Sequence, residues 1–412
     1  MEKILERKEN YIANLSICLI CLLPVSLVLG PLIAEINLFI VVVFFIFEIS
    51  KEKNFVFLKS KIFLALSLLW IYFVLMSLIS SYVLFSLKSS FFYLRIILFS
   101  IAICYFFLKK NFNISKFFFY SLFLSLIFLF FDATIQKVFG VNLFGQVSRV
   151  HRISSFFGDE LILGSFIARL LPTIFAIFYF FNIKKIISFL PIVWLYSILI
   201  VIFSGEKTSF ALIILSSLII IIFSHLSLLK KILGFISLIT LIFSIFYLIP
   251  DLQHRIIKEY IKNTGGGKYL YSKPHNHHFN TAYKMFLDKP TTGHGPRNFR
   301  KLCSKEKFYS GTFSCSTHPH NIYIQLLAET GFVPFFTVLM LFFFTCYKFI
   351  VIQKFKFLVN DDYNKYYFRL FSNLGLFINL FPLSTSGNFF NNWFSILMIF
   401  VFSFFIISNN IE

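Results

Sequence analysis

The chain has 412 residues, of which 58% are hydrophobic and only 14% are charged, and its mean hydropathy is +0.82. A soluble chain of this length would have to hide more apolar surface than one core can hold, so the composition excludes a soluble globular protein. The net charge of +20 invites a nucleic-acid function, but the basic residues concentrate in alternate loops between apolar runs, and this distribution argues against it.

Apolar runs of about 20 residues, the length that crosses the hydrocarbon core of a bilayer, recur along the chain. They predict an all-α polytopic membrane protein with about 12 transmembrane helices in a single membrane domain, residues 1–412. The predicted spans are approximately 11–29, 31–49, 62–84, 90–108, 116–133, 160–181, 185–204, 208–225, 231–249, 320–347, 367–385 and 390–408. No small-residue cleavage site follows the first run, so we interpret it as a retained helix and not a signal peptide.

The Lys and Arg residues near the ends of these spans are distributed unequally between the two sides of the membrane. One side carries 19 of them in its termini and loops, whereas the short loops of the other side carry 5. The positive-inside rule therefore predicts that both termini and the basic clusters are cytoplasmic. We expect these residues to orient the chain and to contact anionic lipid headgroups, so the bilayer is the partner that the charge predicts, and not nucleic acid.

The segments on the other side are 84–90, 134–159, 204–207 and 250–319. The last of these is the only sizeable loop. Residues 251–262 place apolar side chains on one face and predict an amphipathic helix on the membrane surface, which Gly265–Gly267 ends. Residues 279–287 predict a second short helix. We interpret this loop as a lid or wall of the membrane domain.

Two of the six cysteines, Cys303 and Cys315, lie in this loop, 12 positions apart. The other four lie in apolar runs, where cysteine behaves as a small hydrophobic residue. Because the loop faces the oxidising side of the membrane, we favour a disulfide between Cys303 and Cys315, worth about 2–4 kcal/mol locally. Two free thiols are the alternative.

Titratable side chains also gather on this side. Eight of the nine histidines lie there, namely His151, His254, His275, His277, His278, His294, His318 and His320. This suggests that any chemistry takes place on that side, although an outer loop is also where polar residues are tolerated. His318 and His320 stand at the mouth of the predicted tenth span, and Glu329 would lie about 13 Å further along that helix. Because a buried polar group without a partner costs several kcal/mol, packing does not explain these residues.

Cationic residues accompany the histidines, chiefly Arg149, Arg152, Lys207, Arg297 and Arg300. The functional interpretation is an extracytoplasmic cavity in which cations hold an anionic lipid-linked group through charge-assisted hydrogen bonds. A histidine would accept a proton from an attacking hydroxyl. The structural alternatives are that the arginines snorkel to headgroups and that Glu206 forms a local ion pair with Lys207.

Further alternatives concern single residues. Glu329 and Arg95 could be structural partners of other spans, and His320 could be a capped histidine at the interface. The run His275-Asn276-His277-His278 suggests a metal site. No acidic or cysteine ligand at suitable spacing supports it, so we interpret the run as a solvated loop and predict neither a metal nor a cofactor.

Four polar segments together form a characteristic set. His320–Gly331 keeps ten residues between the histidine and the glycine, and Gly293–Phe299 is a glycine turn after a short helix. Ser204–Ser209 is a short polar motif between two spans, and Arg152–Glu160 precedes another span. With the spans and the large loop before the tenth span, these segments resemble the bacterial O-antigen ligase and O-antigen polymerase superfamily over roughly residues 90–350.

The resemblance implies a metal-independent glycosyltransferase embedded in the bacterial inner membrane. Such an enzyme takes a glycan from an undecaprenyl diphosphate carrier and attaches it to an acceptor sugar hydroxyl, as on lipid A-core, at the periplasmic face. By match of motif, His320 is the catalytic histidine, and Arg152 and Lys207 hold the diphosphate. The further residues expected at the substrate site are Arg297, Arg300, His318, Asn321 and Glu329.

Lys207 departs from the superfamily pattern, because arginine is common at this position. Lysine offers a point charge in place of a planar fork, so the diphosphate contacts could shift to Arg297 or Arg300. The expected mechanism is direct displacement at the anomeric carbon with inversion. Cations would stabilise the charge that the leaving diphosphate gains, and His320 would deprotonate the acceptor hydroxyl.

Three other functions compete with a ligase. A polymerase that adds repeat units to a growing glycan, and an enzyme that glycosylates proteins, belong to the same superfamily, and the acceptor distinguishes them. A flippase or transporter for a lipid-linked sugar belongs to another class and needs charged or broken helices at the bilayer midplane. Here the polar residues crowd one face of the membrane, which favours an enzyme.

Overall fold

The computed structural model describes residues 2–109, 114–149, 152–358 and 363–410, so His151 lies outside the described residues. Within these ranges the secondary structure is helical, and the only β pairing consists of two isolated bridges, Val141–Val147 and Arg149–Arg152. The prediction of an all-α protein is confirmed. The chain divides into two compact units.

The first unit comprises Met1–Ile114, Tyr271–Phe344 and Leu380–Glu412. Its helices are Glu2–Cys21, Leu23–Leu29, Pro31–Lys51, Lys61–Leu78, Val83–Ser90, Leu94–Lys109, Lys273–Asp288, Phe299–Leu302, Ile322–Thr330, the first part of Phe332–Leu358, and Asn392–Asn410, with short 3₁₀ turns at Val56–Lys59 and Phe91–Tyr93. The second unit comprises Ser115–Leu270 and Thr345–Asn379. Its helices are Lys116–Phe139, Leu163–Phe180, Lys184–Phe203, Lys207–Phe223, Leu228–Leu248, Pro250–Gln253, Glu259–Asn263 and Tyr363–Asn379, with a 3₁₀ turn at Ser155–Phe157 and a π-helical turn at His254–Lys258.

Among the described residues, nine helices are long and apolar enough to cross a membrane. A tenth candidate is the pair Tyr11–Cys21 and Leu23–Leu29, which is bent by 51° where Pro24 enters the chain. Helix Lys207–Phe223 is apolar but shorter. These helices make the chain a multi-pass membrane protein, and their outward faces carry exposed large hydrophobic side chains, as lipid contact requires. The count of about 12 spans stays a prediction.

In the first unit, helix Leu94–Lys109 is the central element. The Ser100 hydroxyl contacts the Ser403 hydroxyl of helix Asn392–Asn410 at 2.9 Å. At the other side of the same helix, Arg95 forms a two-pronged ion pair with Glu35 of helix Pro31–Lys51, at 2.8 and 3.0 Å. An ion within an apolar span requires a counter-ion. Glu35 is that counter-ion for Arg95, which agrees with the structural interpretation of Arg95 made from the sequence.

In the second unit, helix Leu163–Phe180 is buried on nearly all sides and packs against Tyr363–Asn379. A helix that is apolar all round belongs in the interior of a bundle. Tyr179 stacks on Tyr367 and on Phe371 at centroid distances of 5.1 and 5.6 Å. The Asn379 amide donates to the Arg169 carbonyl at 2.9 Å, which ties the ends of the two helices together.

The large loop predicted at 250–319 contains ordered structure. The predicted amphipathic segment 251–262 is helical from Pro250 to Asn263, and the predicted helix 279–287 is longer, at Lys273–Asp288. This second helix packs against Ile322–Thr330 around a small hydrophobic cluster, whose members are Ala282, Met285, Phe299, Leu302, Cys303, Phe308 and Ala328. Cys303 and Cys315 form a disulfide at the edge of the cluster.

The span predicted at 320–347 is not one helix. It breaks at Gly331 into a short helix, Ile322–Thr330, and the candidate span Phe332–Leu358. Gly331 has φ +79, and a Cβ there would lie 2.2 Å from the Thr291 carbonyl oxygen, so only glycine fits. The apolar pattern of the sequence runs on across Gly331 and does not reveal this break. The break is caused by a segment distant in sequence that packs against Gly331.

Pro290 and Thr291 make the contact with Gly331, and the turn Gly293–Pro296 follows them in the chain. The His294 and Gly295 N–H groups donate to the carbonyls of Ala328 and Glu329 at 3.1 and 2.7 Å, which satisfies carbonyls at the end of the short helix. On its other side the Pro296 carbonyl accepts from the Ser86 hydroxyl at 3.0 Å. The turn is therefore clamped between two helices, and its glycines allow the close approach.

Gly293 provides a test of this packing. Gly293→Ala would place a Cβ 2.4 Å from backbone atoms of Glu329 and Thr330, whereas Gly266→Ala meets nothing within 4 Å at a similar φ of +74. Both alanines bear the cost of a left-handed backbone, about 1–2 kcal/mol, and only the first adds an overpacking cost of about 1–3 kcal/mol. Thermal unfolding of the purified protein should show the larger loss for Gly293→Ala. Equal losses would contradict the packing described.

Candidate active site

The first unit gathers four imidazole rings around His320. The ring centroid of His320 lies 4.2 Å from His318, 5.3 Å from His278 and 5.4 Å from His275. His275 and His278 come from helix Lys273–Asp288, and the other two precede helix Ile322–Thr330. Packing of these two helices therefore creates the cluster. His278 and His318 are buried, and His320 is partly exposed.

The backbone of His320 is held in an uncommon conformation. Its φ is +60, in the left-handed region that residues other than glycine rarely adopt. Its carbonyl accepts the Ser386 N–H at 2.9 Å, and its Nε2 lies 2.9 Å from the Ser316 hydroxyl. Strained backbone of this kind persists where the surrounding structure enforces it, and it is common at functional sites.

His318 fixes the position of the neighbouring ring. Its Nε2 is 3.1 Å from the Ser386 carbonyl oxygen, so this nitrogen carries the proton and donates. Its Nδ1 then accepts from the Thr317 hydroxyl at 2.9 Å. With both nitrogens occupied, the buried His318 is a neutral ring against which His320 packs.

Asn321 has a structural role in this arrangement. Its side-chain oxygen accepts from the N–H groups of Tyr323 and Ile324 at 2.9 and 3.2 Å and so caps the short helix. Its amide nitrogen donates to the carbonyls of Pro382 and Ser384 at 2.7 and 3.2 Å. We call residues 380–391, which connect two helices without being helical, the strap. Asn321 joins the strap to the histidine segment.

Glu329 is also occupied by protein groups. Its carboxylate accepts from the Phe299 N–H at 3.0 Å and from the Gln325 amide at 2.9 Å, and the residue is fully buried. Gln325 in turn donates to the Asn388 side chain of the strap at 2.9 Å. These contacts favour the structural interpretation of Glu329 over substrate binding, because its oxygens already have partners.

Burial keeps the imidazoles uncharged. Burial, with smaller effects from the positively charged forms of His318, His275 and His278, lowers the pKa of His320 to about 3. Burial and the nearby Arg300 lower the pKa of His318 to about 4. The pKa values of His275 and His278 are lowered by burial as well. At neutral pH, His320 therefore has a free lone pair and can accept a proton.

Arg300 and Arg297 follow the glycine turn in the first unit and have different surroundings. Arg300 is close enough for its charge to affect His318. Arg297 lies over the Phe85 ring, 5.5 Å from its centroid, and reaches the Ser89 hydroxyl at 3.4 Å. Within the described part of the chain, the buried Nε of each arginine has no hydrogen-bond partner. Both guanidinium groups can therefore accept an anionic ligand.

The second unit contains a separate group of cations. Lys207 lies 3.6 Å from the Glu259 carboxylate, and the same carboxylate pairs with Arg255. Burial lowers the pKa of Arg152, and the charge of Arg255 lowers it further. Arg152 donates to the Leu161 carbonyl at 2.9 Å. We call Arg152, Lys207 and Arg255 the cation cluster. Lys207 and Arg255 share the partly exposed carboxylate of Glu259, and the charge of Glu206 acts on Arg152, so three cations face two carboxylates and the cluster has a net positive charge.

Glu206 is not the ion-pair partner of Lys207. Its carboxylate accepts from the N–H groups of Gly164 and Ser165 at 2.7 and 3.0 Å, at the start of helix Leu163–Phe180. It therefore satisfies N–H groups that have no partner within the helix. A local Glu206–Lys207 pair was one interpretation of the sequence, and it is wrong because each residue has another partner.

Sequence reasoning missed two functional candidates. Arg255 belongs to the predicted amphipathic helix, and no further role was predicted for it. Its spacing of four residues from Glu259 on a helix could have indicated the ion pair. Ser386 was missed together with the rest of the strap, because the predicted span 367–385 covered half of it, whereas helix Tyr363–Asn379 ends earlier. The polar run from Ser384 to Asn388 could have indicated the strap. Among the described residues, no group of three His, Cys, Asp or Glu side chains could hold a metal ion.

The fold and these contacts define a helical multi-pass membrane protein with a neutral histidine site and a cation cluster. A family model described as O-antigen ligase matches residues 192–339, about a third of the chain. The match confirms the resemblance to the O-antigen ligase and polymerase superfamily and supports a function of that type. The matched region contains His320, Lys207 and Arg255, whereas Arg152 precedes it. No curated protein and no solved structure matches the chain significantly.

Proposed function

We propose that this protein is an O-antigen ligase-like glycosyltransferase. It moves a glycan from undecaprenyl diphosphate to a sugar hydroxyl of lipid A-core, by metal-independent displacement with inversion. The proposal includes a bacterial inner membrane, cytoplasmic termini, and a periplasmic loop at 250–319 within one membrane domain. The observation that carries it is the His320 site, a neutral imidazole held by four contacts inside the region that matches the family.

The Ser316 hydroxyl indicates how an acceptor would meet this base. It lies 2.9 Å from Nε2 of His320, which is within proton-transfer distance. An acceptor sugar hydroxyl that replaced Ser316 at this nitrogen would have the same geometry. As the hydroxyl attacks the anomeric carbon, its proton passes to His320, and the diphosphate leaves with the bonding electron pair. Arg300, with its unpartnered Nε, would stabilise negative charge in this unit.

The cation cluster is proposed to hold the lipid-linked diphosphate. Arginine binds phosphate oxygens with two parallel hydrogen bonds, and lysine adds a point charge. Arg255 compensates for the lysine at position 207, because it restores a planar fork to the cluster. Support comes from the contact of Lys207 and Arg255 with the same carboxylate, Glu259, which a diphosphate can displace.

A polymerase of the same superfamily is the second candidate. It would use the same base and the same donor, and only its acceptor would be different. The motif match supports both functions equally, so the acceptor has to be identified by experiment.

The first prediction concerns His320. His320→Ala should lower glycan transfer by about 10²–10⁴-fold, because the acceptor hydroxyl loses its base. His277→Ala, in helix Lys273–Asp288 but facing Phe313, is the matched control and should retain activity. Transfer is measured with purified protein, a lipid-linked glycan donor, and either lipid A-core or a second carrier-linked glycan as acceptor. The acceptor that is used distinguishes ligase from polymerase.

Transfer by His320→Ala at the wild-type rate would refute the assignment of the base. Equal loss of activity in both variants would refute it as well, since both would then act through the stability of the protein. Amounts of inserted protein should be equal for all three proteins.

A second prediction concerns pH. Because the pKa of His320 is lowered to about 3, the imidazole is already deprotonated throughout the range from about pH 5 to 7. kcat/KM, which depends on the free enzyme, should therefore stay flat in this range and fall only at lower pH. The profile is measured as initial rates at limiting donor concentration. An acid limb near 6.5, the ordinary pKa of histidine, would contradict the burial of the ring.

A third prediction concerns the cation cluster. Arg255→Gln should raise the KM for the lipid-linked donor about tenfold or more, because a charge-assisted hydrogen bond to phosphate is lost. Lys258→Gln, on the same helical turn but exposed, is the matched control and should leave KM unchanged. An effect of equal size in both variants would indicate general electrostatic attraction instead of a built site.

A further inference from the structure

The first unit contains a small cavity that is lined partly by basic residues. A cavity of about 210 Å³ is lined by Lys88, Arg95 and Arg297, together with Tyr93, Phe390 and Asn392. None of the four clustered histidines lines it. Sites for drug-sized molecules have volumes of roughly 300–1,000 Å³, so this cavity fits a single headgroup or a single phosphate and not a whole glycan.

The charges of the cavity are not balanced. Arg95 is neutralised by its two-pronged pair with Glu35. Among the described residues, Lys88 and Arg297 form no ion pair with a carboxylate. The nearest acid to act on Arg297 is Glu329, whose oxygens are occupied by Phe299 and Gln325. Lys88, which is an exposed residue, and Arg297 therefore bring two positive charges, without carboxylate partners in the described part of the chain, to the lining of one small cavity.

Arg297 is held in place with only part of its hydrogen-bonding capacity used, by a contact of 3.4 Å to the Ser89 hydroxyl. Its backbone has φ +63, which is uncommon for residues other than glycine, and its guanidinium lies over the Phe85 ring. Its Nε is buried without a partner, and an unpartnered buried donor is costly. Because Arg297 lines the cavity, an anion that enters would bring acceptor oxygen atoms to its guanidinium group.

We propose that this cavity binds a phosphate group through Lys88 and Arg297. Phosphate fits better than a carboxylate because two uncompensated cations from separate elements converge, one with a fork and one with a point charge. The same chemistry has two sources, the headgroup of an anionic phospholipid and the phosphate of a lipid-linked glycan. The lining does not include His320, so binding at this cavity can be tested apart from glycan transfer.

The test uses the full chain purified in a maltoside detergent without phosphate. Inorganic diphosphate is titrated in one arm, and phosphatidylglycerol in the other, with phosphatidylcholine as the zwitterionic reference. The shift in thermal unfolding temperature gives an apparent Kd. Lys88→Gln should raise this Kd about tenfold, and Arg297→Lys, which keeps the charge but loses the fork, should raise it as well.

The matched control is Lys305→Gln, an exposed lysine of the same unit that does not line the cavity. Stabilisation by phosphatidylglycerol alone supports the site and assigns it to a bilayer lipid. Stabilisation by diphosphate that is weakened in Lys88→Gln and kept in Lys305→Gln supports the site and assigns it to phosphate of the glycan carrier, since the cation cluster is intact in both variants. The proposal is overturned if neither probe stabilises the wild type, or if Lys88→Gln binds as tightly as Lys305→Gln. Glycan transfer is not measured, so its presence or absence does not affect the result.

Discussion

The short helix Ile322–Thr330 is fixed at both ends by polar contacts, and the position of the histidine site depends on this constraint. Asn321 caps its N-terminus, and the turn Gly293–Pro296 satisfies carbonyls at its C-terminus. Unpaired backbone groups at helix ends are costly when buried, so neither end can shift without losing hydrogen bonds. Since His320 directly precedes the cap, the same contacts determine where its ring lies.

Burial determines the chemistry of this site more than charge does. The imidazoles crowd each other in a buried place, which lowers their pKa values and leaves them uncharged. A neutral imidazole can accept a proton, whereas a charged one could only bind an anion. The cation cluster of the second unit is suited to binding an anion. Burial and the repulsion between its cations destabilise their positive charges, and a bound anion would offset both effects. The two sites are thus suited to different chemistry, proton acceptance in the first unit and anion binding in the second.

Several polar residues that seemed suited to substrate binding have structural partners instead. Glu329 receives hydrogen bonds from Phe299 and Gln325, and Asn321 is both a cap and a tie to the strap. The sequence alone does not distinguish these residues from ligand-binding ones. A polar side chain that binds the protein's own backbone and one that binds a ligand can have the same neighbours in the sequence. Their partners lie up to 63 residues away, as with the Ser384 carbonyl that accepts from Asn321. The roles of His320, Arg152 and Lys207 remain proposals that rest on the motif and on their surroundings.

By itself, the sequence determined the all-helical membrane class and the resemblance to the O-antigen ligase and polymerase superfamily, and it singled out the His320 segment, since hydrophobic runs and local motifs carry this information. It also indicated Arg95 as an ion in need of a partner and Cys303 with Cys315 as a pair. Only the tertiary structure decided the break at Gly331, the strap across His318, and the convergence of four imidazoles. These features arise from contacts between distant segments, in which a glycine, a serine or an asparagine takes its role from the group that packs against it.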